Sequence, residues 1–135
     1  MKANELMIGD WVCCTDPTPF KIEAITIIDT PEYVTGSDGF DVEIADLQPI
    51  PLTKEILEKN GWENVSDKDA PVMQIEDRND AFWWDSMNGE CGCERSVDNC
   101  GEEDFEKNFM CAHICYVHEL QHALRLCGIE KEIKL

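Results

Sequence analysis

Residues 48–61, QPIPLTKEILEKNG, decide how this chain is divided. Pro49 and Pro51 cannot donate to a sheet ladder, so a strand region ends there. Thr53 then stands one residue before KEILEKN, where a side-chain oxygen can cap a helix over residues 53–60. Ile56 and Leu57 give that helix a buried side, and Gly61 gives it a stop. A change from strand-like to helical pattern at this point predicts two parts, a small β subdomain over residues 1–52 and an α+β subdomain over residues 53–135.

Upstream of the boundary the runs are short and β-rich. GDWVCC opens with a Gly-Asp turn, and FKIEAITII alternates before becoming wholly apolar. GFDVEIADLQPI alternates again, with Phe40, Val42 and Ile44 expected on one face. Ser37-Asp38-Gly39 has the chemistry of a hairpin tip. Four or five such strands within roughly 45 residues predict a small SH3-like β-barrel, because closure hides strand edges.

Downstream, Val72-Met73-Gln74-Ile75 and Ala81-Phe82-Trp83-Trp84 read as strands with a turn over residues 77–80. Adjacent Trp83 and Trp84 should place one ring in the core and one at the surface. Residues 85–106 are polar and rich in turn formers, which predicts a hairpin excursion or mobile loop. A strand over residues 109–115, a helix over 116–127 and a closing edge strand over 130–135 complete an antiparallel sheet packed by a C-terminal helix. The fold class is therefore expected to be α+β.

Composition narrows the function. With 29 acidic against 11 basic residues the formal charge is −18, so no excess of Lys and Arg exists to neutralise a phosphate backbone. Direct nucleic-acid binding is not expected. No segment approaches the roughly 18 apolar residues of a membrane span, and MKANELMIGDWV has no basic stretch leading into an apolar run. These features predict a cytoplasmic protein without membrane partners, whose eight cysteines are thiols rather than disulfides.

HELQH, residues 118–122, is the one stretch that spells a reaction. Two His at i and i+4 share a helical face and can hold Zn²⁺, while the Glu between them activates the bound water. His118 and His122 would be the ligands and Glu119 the base of a metallopeptidase. At about 100° per residue, Tyr116, Val117, Leu120, Ala123, Leu124 and Cys127 form an apolar face, with His118, His122 and Arg125 opposite. That geometry equally describes two histidines on the solvated side of an amphipathic helix. The extended pattern H-E-x-x-H-x-x-G-x-x-H fails twice, since Arg125 and Gly128 stand where Gly and His are needed. His113, Cys127, Glu130 and Glu132 are the remaining candidates for a third ligand. Helix spelling is the preferred reading, so no catalytic residue is assigned.

The thiols offer a second metal hypothesis. Cys91 and Cys93, with Cys100 and either Cys111 or His113, could close a zinc site in the turn-rich segment, although paired C-x-x-C knuckles are lacking. Reduced structural thiols are the simpler expectation, and zinc is the only cofactor considered. No phosphate loop, nucleophile elbow or dinucleotide fingerprint occurs.

MKANELMIGDWV, DLQPIPLTKEILEKNGWE and YVHELQHALRLCGIEKEIKL together resemble a group of small uncharacterised proteins of Bacteroides and related gut bacteria, of phage or prophage type. The similarity covers roughly the first twelve residues, 46–63 and 116–135. It implies that the positions of Glu119 and His122 can carry Gln or Asn while the helix persists, and that the protein originates from a mobile element. It implies no activity. The expected function is a non-enzymatic protein-interaction module, bound to an unidentified protein through the acidic surface or the 85–106 excursion. Its rivals are zinc-dependent peptide hydrolysis and an acidic mimic of nucleic acid that occupies a basic site on a host protein.

Overall fold

A computed structural model describes residues 1–16, 18–28, 31–66, 69–77, 80–95 and 107–135, and at 77, 95 and 107–111 it describes the backbone alone. The architecture is α+β, with two antiparallel five-stranded sheets and a C-terminal helix. The chain divides into two compact units. One comprises Met1–Pro51 with Tyr116–Gln121, the other Leu52–Cys115 with His122–Leu135.

The first unit is a meander of β1 (Trp11–Cys13), β2 (Phe20–Thr26), β3 (Tyr33–Gly36), β4 (Asp41–Glu43) and β5 (Gln48–Pro49), ordered β4-β3-β2-β1-β5. A 3-10 turn, Ile44–Asp46, separates the last two strands. The sheet is open, since β4 and β5 are its two ends, so the expected closed barrel is not formed. Leu6, Val12, Ile22, Val34, Ile44 and Leu47 make its core. Ile25 also packs on that core although three residues from Ile22, because the register shift between Ile22 and Ala24 resets the alternation. Ser37, Asp38 and Gly39 form the expected tip, where Gly39 at φ 82° donates its N–H to the Gly36 carbonyl at 2.9 Å. Phe40 does not share one face with Val42 and Ile44 as expected. It lies in the turn ahead of a three-residue strand and is 71% exposed.

In the second unit α1 (Lys54–Lys59) starts as expected, with the Thr53 hydroxyl accepting the Ile56 N–H at 3.4 Å. β6 (Glu63–Asn64), β7 (Val72–Asp77), β8 (Asp80–Asp85), β9 (Glu90–Arg95) and β10 (Lys107–His113) follow in the order β10-β9-β8-β7-β6. Alternation assigns one face to the core, where Met73, Ile75, Phe82, Trp84, Cys91 and Cys93 are buried. Trp62 meets Phe82 edge-on, with ring centroids 5.7 Å apart.

Of the hairpin excursion or mobile loop expected over residues 85–106, the described part follows the hairpin alternative: Cys91, Gly92 and Cys93 lie in β9, whose backbone pairs with both β8 and β10. Residues 96–106 of the predicted excursion, and with them Cys100, lie outside the described residues. The final segment is not the expected edge strand. Its backbone is held instead by one side chain: Asn60 Nδ2 donates to the Lys134 carbonyl at 2.8 Å and Asn60 Oδ1 accepts the Lys134 N–H at 2.8 Å. Ile133 is thereby buried.

Candidate functional site

The helix that carries HELQH, α2, runs over Val117–Leu126. Val117, Leu120, Ala123 and Leu124 are buried, as their spacing predicts. His118 and Gln121 are buried too, so of the two settings left open for the histidines, His118 does not lie on a solvated side. Gln121 is anchored to the start of the chain. Its amide donates to the Gly9 carbonyl at 2.9 Å, and its side-chain oxygen accepts the Trp11 N–H at 3.0 Å. Backbone from the start of the chain thus lies along the side of α2 that carries His118.

Within HELQH, Glu119 closes the start of the helix and His118 packs beside it. The Glu119 carboxylate accepts the Tyr116 N–H at 3.1 Å, closing the helix start from the third position of the first turn. The His118 imidazole is stacked on the Tyr116 ring, with centroids 6.0 Å apart and planes 15° from parallel, and is only 5% exposed. His122, one turn further on, is half-buried. Glu130 and Glu132 are exposed. Among the described residues no three His, Cys, Asp or Glu side chains gather to hold a metal ion.

The thiols are grouped differently from the predicted set. Cys91 and Cys93 share the buried face of β9 and are joined by Cys127, whose thiol hydrogen-bonds Cys93. Burial, then the neighbouring Cys93, pushes the Cys127 thiol up to about 12. Cys127 is therefore a protonated packing group at neutral pH. The Cys111 side chain and Cys100 lie outside what is described, so the four-cysteine set is not assembled from described groups.

A surface with binding chemistry lies on the other face of the second sheet. Trp84 points inward and donates its indole N–H to the Ile114 carbonyl at 3.0 Å, whereas Trp83 is half-buried on the outward face. Gln74 and Gly92 are the cross-strand neighbours of Trp83. Alternation puts Glu76, Asp85, Glu90 and Glu94 on the same face, within about 8 Å as same-strand and diagonal neighbours. Gln74 Nε2 donates to Glu76 Oε1 at 3.3 Å along that face. No Lys or Arg occupies any position of this face on β7, β8 or β9. Sequence reading separates the two tryptophans but misses the ring of carboxylates, which appears only once register is known.

Compared with family models, with curated proteins and with solved structures, the chain finds no match in any of the three.

Proposed function

We propose that the protein is a non-enzymatic interaction module that binds a basic segment of another protein through the outward face of its second sheet. The observation that carries this reading is Trp83 set among Glu76, Asp85, Glu90 and Glu94, with no Lys or Arg on this face of β7, β8 or β9. An indole face attracts a Lys or Arg cation, and carboxylates around it supply charge-assisted hydrogen bonds. The chain already uses this chemistry internally, with Lys21 Nζ 5.2 Å from the Trp11 ring centroid. A formal charge of −18 steers a basic partner toward the molecule.

The setting is the cytoplasm, and the origin a mobile element of Bacteroides-type bacteria, on the resemblance of the chain's two ends and its helix α1 region to that group. The finer architecture of the first unit is SH3-like. A fifth strand that follows a 3-10 turn and returns beside β1, and β2 shared between β1 and β3, support that strand arrangement, although the described sheet does not close.

A titration with an Arg- and Lys-rich peptide, followed by tryptophan fluorescence, tests the proposal. Binding should weaken at least about tenfold in Trp83→Ala and fall as salt is raised. Equal affinity in wild type and Trp83→Ala would remove Trp83 from the interface, and absence of binding at low salt would sink the reading.

A further inference from the structure

A thiol and an imidazole meet on rigid backbone just past the end of β10. Cys115 Sγ lies 3.5 Å from His113 Nδ1, and both residues are exposed. Three hydrogen bonds fix the backbone beneath them. The Ile114 N–H donates to the Gly89 carbonyl at 2.7 Å, the Trp84 indole to the Ile114 carbonyl at 3.0 Å, and the Leu52 N–H to the Cys115 carbonyl at 2.8 Å.

The imidazole has a fitted seat. Gly89 has φ 74°, and a Cβ built there would lie 3.1 Å from His113 Nε2 and 3.2 Å from Cε1. The ring therefore lies close over a bare glycine, where an added Cβ would crowd both it and the Ile114 carbonyl oxygen at 3.0 Å. Glu90 is the cross-strand partner of His113, which places a carboxylate on the same face where an imidazolium would form.

From this arrangement we infer that Cys115 is a nucleophilic thiol served by His113, and that it takes up a low-molecular-weight disulfide to form a mixed disulfide. His113 Nδ1 accepts the Sγ proton as the sulfur attacks. The reagent's S–S bond breaks, the Cys115 Sγ–S bond forms, and the departing thiolate takes the proton from His113. Cys115 is oxidised and one sulfur of the reagent is reduced, so no other reactant is needed.

Competition among the described cysteines favours this site. Cys91 and Cys93 are buried, and Cys127 is half-buried against them with its proton firmly held. Burial and the neighbouring Cys14 raise the Cys13 thiol. Cys115 is the exposed cysteine of the described set.

The test uses full-length reduced protein mixed with glutathione disulfide, with adducts located peptide by peptide over time. Cys115 should be modified about tenfold faster than Cys14, and the His113→Gln variant should bring the two rates together. Urea-unfolded wild type should lose the same preference, which keeps the test decisive if the variant does not fold. The inference is overturned if native Cys115 reacts no faster than Cys14, if the preference survives His113→Gln or unfolding, or if Cys100 or Cys111 reacts first.

Discussion

Glu119 separates two uses of the same five letters. A catalytic base needs its carboxylate directed at a metal-bound water, whereas here the carboxylate accepts the Tyr116 N–H that the helix start would otherwise leave without an intrahelical partner. Gln can perform that second task, because its side-chain oxygen also accepts, and Ala cannot. Glu119→Ala should lower unfolding free energy in urea by about 1 kcal/mol, with Glu119→Gln closer to wild type. Equal losses in the two variants would contradict the capping role. At this scale the sequence was readable in part. The i, i+4 spacing correctly places two histidines on one helix, but Gln121 on the same helix reaches Gly9 and Trp11 across more than a hundred residues of chain. No local pattern encodes that contact.

Among the elements, those defined by local chemistry are the ones that sequence reading located. Thr53 and Gly61 bracket α1, and Ser37, Asp38 and Gly39 turn the β3-β4 hairpin, because caps and turns are set by one or two residues. For β9 the pattern leaves hairpin and loop open, since Gly carries little β-propensity signal and the strand character comes from partners on both sides. EKEIKL has the opposite history: it alternates like a strand, yet Asn60 captures its backbone first. Asn60 Nδ2 also donates to the Ile56 carbonyl at 2.7 Å, so one buried amide ties the end of α1 to the end of the chain. Asn60→Ala should cost roughly 2–3 kcal/mol, since it leaves buried backbone groups without partners. Hydrogen exchange at the Lys134 amide should accelerate more than at core strand amides such as Phe82. Unchanged protection at Lys134 would show that the segment is held by Ile133 burial alone.

At the scale of the molecule, charge and topology act together. An excess of carboxylates is visible in composition, but composition alone cannot distinguish a solvated surface from a recognition face. Register shows where they gather on β7, β8 and β9, since alternation places four carboxylates around one half-buried indole and sends the apolar residues to the core. The most direct check is a ¹⁵N–¹H NMR titration of the whole protein with an Arg- and Lys-rich peptide. The account predicts that the Trp83 indole N–H and the backbone amides of Gln74, Gly92 and Glu94 shift together and saturate. Shifts confined to residues of Met1–Pro51, or no saturable shift on this face, would contradict it.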